Sequence, residues 1–297
     1  MANNSTAMSR LFCFGLGYSA ARIARTLASE GWQVGGTART QKGADAISAS
    51  GYQSFVFDGQ APNPAITDAL AGSTHVLVSA PPGDDDPVLR HHGDDLRRAA
   101  SLQWIGYLST IGVYGDRNGG WVDETSATDA TSVRGRQRVA AEASWLALGQ
   151  TLNVPTQIFR LAGIYGVGRS AIDKLREGTA HRIIKPDQVF NRIHVDDIAR
   201  TVCAAMVGPT MSQVYNVTDD EPAPPQDVVT YAAELLGVAP PPEVPYADAQ
   251  LSPMARSFYA DNKRASNARL HQELGVTLKF PTYREGLRAI LAELSGR

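Results

Sequence analysis

Apolar residues follow two rhythms along this chain: solid runs of strand length, and stretches with an apolar position every third or fourth residue. Leu11, Phe12, Cys13 and Phe14 form the first run. It is too short for a helix and is bounded by Gly15, so it predicts a buried strand. Beyond the glycines, Ala20, Ile23, Ala24 and Leu27 fall at i, i+3, i+4 and i+7, one apolar face of a helix. Trp32 to Thr40 supplies a second strand at the distance of a βαβ unit. After a polar helix, Tyr52 to Phe57 predicts a third strand, Thr74 to Ser79 a fourth and Trp104 to Thr110 a fifth.

From about Gly166 the rhythm becomes irregular. Ile172 to Arg176 predicts a short helix, Ile183-Ile184 a short strand and Pro186-Asp187 a turn. Ile198 to Val207 and Val214 to Val217 predict a helix and strand of the main domain. Pro222 to Pro225 and Pro240 to Pro245 read as rigid loops framing a helix from Asp227 to Leu236. Lys263 to Leu274 and Tyr283 to Leu294 complete the predicted helices. No internal repeat is present.

The strand–turn–helix at the start carries the first chemistry. Gly15 allows a tight turn, Gly17 lets a pyrophosphate approach the backbone, and Ala20 stands where a third glycine usually permits close helix–strand packing. A diphosphate would lie on the N–H groups of the helix start, at Tyr18, Ser19 and Ala20. The second strand then selects between cofactors. An acid near its end would accept from free ribose hydroxyls, yet no acid occurs from Gly31 to Ala44. Thr37, Arg39, Thr40 and Lys42 offer donors instead, which predicts NADP over NAD. Asp58, after the third strand, either accepts from the adenine amino group or caps the next turn. Ser79, Ala80 and Pro81 open a rigid turn at the carboxyl edge of the sheet, where ligands of open α/β sheets bind.

Composition narrows the classes. The chain has 297 residues and a net charge of −2, long enough for one large α/β domain with an appended lobe and giving no electrostatic footprint for nucleic acid or an anionic membrane. No apolar run spans a bilayer. Met1 to Ser9 is polar and lacks the pattern of a secretory signal, so it reads as a frayed end of a cytoplasmic protein. Cys13 and Cys203 read as packed thiols. Asp84-Asp85-Asp86 lacks the spacing of a calcium loop and reads as a solvated helix start. His91 and His92 point in different directions on a helix, and His75, His181 and His271 stand alone, so no metal site is expected.

Val113-Tyr114-Gly115 after Ser109-Thr110, with Asp123-Glu124 behind, resembles the extended short-chain dehydrogenase/reductase family, which includes NAD-dependent epimerases and dehydratases. Phe159 to Arg169 is similar to the family's sixth strand and following loop, Asn191 to Ala199 to its return to the nucleotide-binding lobe, and Val214 to Pro222 to its penultimate strand. The C-terminal Asn267 to Gly275 and Pro281 to Leu287 also fit. The resemblance implies a Rossmann-type doubly wound parallel sheet with a small C-terminal α/β substrate lobe. Residues 1–165 and 187–220 would form the NADP-binding domain, and residues 166–186 and 221–297 the covering lobe.

The resemblance breaks at one place. The family's proton chemistry is carried by a tyrosine and a lysine four residues apart, and the matching positions here hold Arg134 and Arg138. A guanidinium stays protonated near neutrality, so Arg134 cannot shuttle a proton; it could hold a carboxylate or phosphate through two parallel hydrogen bonds. Arg138 could hold the nicotinamide ribose. Thr110 matches the family's hydroxyl that bonds the reacting oxygen, its alternative role being a local cap. Tyr114 and Tyr165 are candidates for the missing acid. Asp196 or Asp197 reads as a cap for the helix near Ile198, Asp123 and Glu124 as a solvated loop, and Glu142 and Trp145 as structural.

Arg169, Lys174, Arg182 and Arg192 add donors for an anion without naming one. The sequence thus implies an NADP-dependent oxidoreductase or epimerase/dehydratase-like enzyme, acting on a small, anionic substrate and compatible with a homodimer. The alternative is a non-catalytic NADP(H) sensor that signals to a partner.

Overall fold

The computed structural model describes residues 9–208 and 213–296. The expectation of a frayed N-terminal end therefore lies largely outside the described residues. The chain divides into two compact units: Met1–Ser109, Gln137–Phe159 and Val202–Gln213 form the first, and Thr110–Arg136, Arg160–Thr201 and Val214–Arg297 the second.

The first unit starts with β1 (Arg10–Phe14), α1 (Tyr18–Ser29), β2 (Gln33–Ala38), α2 (Gln41–Ala49) and β3 (Gln53–Val56). It continues through α3 (Pro64–Ala71), β4 (His75–Val78), α4 (Pro87–Arg98) and β5 (Trp104–Thr110). Among the described residues the central sheet has seven strands, in the order Val214–Val217, Thr156–Leu161, β5, β4, β1, β2, β3. Leu11 sits opposite Val34 on one side and His75 on the other, both pairings parallel. A strand paired on both sides and covered on both faces needs apolar residues throughout, and Leu11, Phe12, Cys13 and Phe14 are all buried. Phe14 meets the Phe57 and His92 rings at 5.9 and 5.7 Å between centroids. Burial pushes the Cys13 thiol up and raises that of Cys203 to about 12, so both are inert packed thiols.

Local chemistry sets the helix starts. Thr40 caps α2 by accepting from Gly43 N, and Asn63 caps α3 by accepting from Ala65 N. Asp86 caps α4 by accepting from Val88 N at 2.9 Å and Leu89 N at 3.3 Å, with Pro87 at the first helical position. The expected solvated helix start needs correcting at Asp86: its other oxygen accepts from Trp145 Nε1 at 2.9 Å, and the residue is buried. Asp84 and Asp85 do face solvent. α5 (Val133–Leu152) follows.

In the second unit, the helices Ala171–Arg176, Pro225–Leu236 and Tyr283–Ser295 enclose a core of Tyr165, Ile172, Val228, Tyr283, Leu287 and Ile290. Three expectations change. The helix expected from Lys263 begins at Ala268, because Arg264–Ala265 pairs with Trp121–Val122 as a short parallel sheet. Asn191 fixes that strand, accepting from Ala265 N and donating to Lys263 O. Glu243–Pro245, expected as loop, pairs with Arg182–Ile184, and Pro253–Ala260 is a helix capped by Ser252. Asp197 is no cap: the helix begins at Val195, and the Asp197 carboxylate accepts from Lys279 N at 2.6 Å and Phe280 N at 3.0 Å, pinning a segment distant in sequence. No helix among the described residues is long and apolar enough to cross a membrane.

Candidate functional site

The first unit builds a cradle at the carboxyl ends of β1, β2 and β4. Gly15 turns the chain with φ +81°, a conformation that L side chains rarely adopt, and a Cβ there would lie 2.9 Å from Ala80 N. Gly15 N donates to Thr37 Oγ1 at 2.8 Å, and Leu16 N donates to Thr37 O at 2.8 Å. Ser79 N and Ala80 N both donate to Phe14 O, so the turn after β4 is tied to the end of β1. Gly17 is extended, and a Cβ there would meet nothing within 4 Å.

α1 lacks a side-chain cap. The N–H groups of Ser19 and Ala20 make no hydrogen bond with another described residue. Helix starts leave such donors for a cap, water or a ligand, and their positive end suits an anion. Open space over Gly17 beside two free donors fits the diphosphate of a dinucleotide.

The other nucleotide candidates sit at the same edge. Arg39 is exposed just beyond β2 and makes no hydrogen bond or ion pair with another described residue. Thr37 is buried, its hydroxyl already accepting from Gly15, and Thr40 is the α2 cap. Asp58 is exposed and one carboxylate oxygen accepts from Gln60 N at 2.9 Å, a local turn bond. Ser79 and Ala80 are half-buried and Pro81 is exposed.

The candidate catalytic residues fall into different surroundings. Thr110 ends β5, and its hydroxyl accepts from Gly112 N at 3.1 Å, starting the short helical turn Ile111–Tyr114. Arg134, on the first turn of α5, is exposed and makes no hydrogen bond or ion pair with another described residue. Arg138 is held down. Its NH1 donates to Leu108 O at 2.6 Å and Tyr107 OH at 3.0 Å, and its guanidinium lies 5.4 Å from the Tyr107 ring centre. One turn on, the buried Glu142 accepts from Ser109 Oγ at 2.5 Å.

Neither tyrosine offered as the acid has a free hydroxyl. Tyr114 is fully buried, donating to Asn216 Oδ1 at 2.7 Å and accepting from Arg160 NH1 at 2.9 Å. Burial raises its pKa despite Arg160. Tyr165 is in the second unit's core, its hydroxyl facing Thr282 O at 3.4 Å and its ring against Gly286. Burial raises its pKa too. Both tyrosines are placed as core residues with polar tips.

Several polar links were not legible in the sequence. Glu124, expected on a solvated loop, accepts from Asn216 N at 2.7 Å, and burial raises its pKa. Arg192, offered as an anion donor, spends NH1 on Phe190 O and Ala223 O. Arg182 bonds Glu243 at 2.8 Å. Among the described residues no cluster of His, Cys, Asp or Glu could hold a metal ion.

Asp219 yields a test of its own. It is almost fully buried with neither carboxylate oxygen hydrogen-bonded, and burial raises its pKa well above the ordinary value, with nearby Arg192 opposing. The folded state therefore holds this proton more tightly than the unfolded chain. Stability falls as pH rises from the unfolded pKa of about 3.9, by up to about 1.4 kcal/mol per pH unit, until the folded pKa is passed. Asp219→Asn is expected to be more stable than the parent at pH 7, with the gain vanishing below about pH 4. Urea unfolding across that range reads it, and an equal gain at both ends would refute the assignment.

No protein-family model matches the chain. Protein YeeZ of Escherichia coli K12 is 29% identical over 262 residues, covering 79% of this chain and 86% of YeeZ. The structure of a functionally unknown conserved protein from Silicibacter pomeroyi is 50% identical, with a TM-score of 0.88, covering 96% of this chain and 99% of that one. A protein from Methylobacillus flagellatus, provisionally named an NAD-dependent epimerase/dehydratase, is 26% identical with a TM-score of 0.73, covering 97% and 99%. The chain has the extended short-chain dehydrogenase/reductase fold of the NAD-dependent epimerase/dehydratase family. UDP-glucuronic acid 4-epimerase from Bacillus cereus, solved in complex with NAD, has the same fold at 17% identity and a TM-score of 0.75, covering 96% and 99%. Of the two arginines on α5, Arg138 is tied to β5, and Arg134 makes no hydrogen bond or ion pair with another described residue.

Proposed function

We propose that this chain binds a nicotinamide dinucleotide, NADP in preference to NAD, and acts as an oxidoreductase or epimerase/dehydratase-like enzyme on a small anionic substrate. The observation that carries the reading is the cradle at Gly15 and Gly17, with two free helix N–H donors and an unpaired Arg39 where an acid would favour NAD. Gly17, Ser19 and Ala20 would hold the diphosphate, and Arg39 the 2′-phosphate. When bound, the cofactor would supply a hydride acceptor or donor; the chain's own residues orient the other reactant.

Arg134 would grip the anionic group, since a free guanidinium matches a carboxylate or phosphate. Thr110 retains a hydroxyl proton to donate toward a reacting oxygen while accepting from Gly112 N. Arg138, fixed against Leu108 and Tyr107, would meet the ribose as a rigid donor. With Tyr114 and Tyr165 committed to the core, solvent water would supply the proton.

The test is NADPH oxidation, followed by absorbance, against a panel of 2-oxo acids, together with product analysis of sugar nucleotides incubated with NADP, because an epimerase or dehydratase returns its hydride and leaves the absorbance unchanged. Arg134→Ala is expected to raise KM for an anionic substrate about 10- to 100-fold with little change in NADPH affinity. An unchanged KM for the anionic substrate in Arg134→Ala would reject its substrate role. The unpaired Arg134 also suits the second reading, an NADP(H) sensor; binding without turnover across the panel would favour it over the enzyme.

A further inference from the structure

We infer that Thr37 is a positioning residue that acts through Gly15, locking the diphosphate turn to β2, and does not itself read the 2′-phosphate. The inference takes its ligand from the proposed function, but its geometry stands apart from that reading. Thr37 is 2% exposed, and two successive N–H groups of the turn end on it: Gly15 N on its hydroxyl and Leu16 N on its carbonyl, both at 2.8 Å.

The strand is shaped for this contact. At neighbouring Gly36 a Cβ would lie 2.7 Å from Leu16 Cδ1 and 2.9 Å from Cys13 O, so the absent side chain leaves room for the turn to seat Leu16. On the other side, Gly15 closes on Ala80 N. The turn is therefore clamped between the ends of β2 and β4. Two residues beyond Thr37, Arg39 leaves the same strand exposed and unpaired. One strand end thus divides two tasks: Thr37 holds the turn that receives the diphosphate common to both dinucleotides, and Arg39 faces the group that distinguishes them.

This division gives each residue a different signature. Thr37→Val keeps the shape but removes the acceptor from Gly15 N, leaving a buried donor unpaired. It is expected to weaken NADPH and NADH by the same factor, about tenfold, with their ratio unchanged. Thr37→Ser restores the hydroxyl and should restore both affinities. Amide hydrogen exchange of the unliganded protein supplies a second readout that needs no cofactor: Gly15 N–H should exchange faster in Thr37→Val and return to parental protection in Thr37→Ser.

A fall in the NADPH-to-NADH preference with Gly15 exchange unchanged would overturn the inference by making Thr37 a phosphate contact. Unchanged affinities and unchanged exchange would overturn it as well. If the parent protein binds neither dinucleotide, the proposed function fails, and the Gly15 exchange rates still decide whether Thr37 locks the turn.

Discussion

Gly17→Val is expected to abolish dinucleotide binding while leaving the fold and its stability as they are. The two effects separate because of the surroundings of this glycine. Its backbone is extended, with φ −93°, which valine adopts without strain, and a Cβ would meet nothing within 4 Å. The protein therefore does not need a glycine there for itself. A diphosphate does, because it must approach the backbone to reach the Ser19 and Ala20 N–H groups. Losing two charge-assisted hydrogen bonds of roughly 1.5–3 kcal/mol each corresponds to at least about 100-fold in affinity. Gly15→Val provides the contrast: with φ +81° and Ala80 N in the way, it should lower both binding and stability. Thermal unfolding beside calorimetric titration distinguishes the two variants. Intact NADPH binding by Gly17→Val would show that the diphosphate does not lie on this turn.

Arg39→Ala is expected to lower NADPH affinity about 10- to 100-fold and leave NADH affinity nearly unchanged, because its guanidinium would contact only the 2′-phosphate. Arg39 makes no bond to another described residue that its removal would break, so stability should not change. The contact is electrostatic and partly exposed, and raising the salt concentration should narrow the parent's preference as well. Competition titrations of both cofactors at low and high salt measure it. An unchanged NADPH-to-NADH ratio would assign the selectivity elsewhere.

Much of the fold was legible because its signals are local. The apolar run Leu11–Phe14, the glycines after it and the i, i+3, i+4 face of α1 are all determined within a few residues. What escaped was set by partners distant in sequence. Asp86 looked solvated beside Asp84 and Asp85 until Trp145, 59 positions away, accounted for its burial. Lys263 to Asn267 reads as helix, but pairing with Trp121–Val122 and the Asn191 side chain draws Arg264–Ala265 into a short strand. Asp197 stands at a helix start like a cap, yet its carboxylate serves Lys279 and Phe280.

The site divides the same way. The turn after β1 was legible because Gly15 is required by backbone geometry, which sequence exposes directly. The roles of Thr37, Tyr114 and Tyr165 were not, because each depends on where one hydroxyl ends: on Gly15 N, between Asn216 and Arg160, and near Thr282 O. The exchange of tyrosine and lysine for Arg134 and Arg138 was plain in the sequence. That one is free and the other fixed to β5 could be read only from the structure.

The most direct test of the account is calorimetric titration of the parent protein with NADPH and with NADH under identical low-salt conditions. The account predicts saturable one-to-one binding of NADPH, with NADH bound about 10- to 100-fold more weakly. Binding of neither, or tighter binding of NADH, would contradict it.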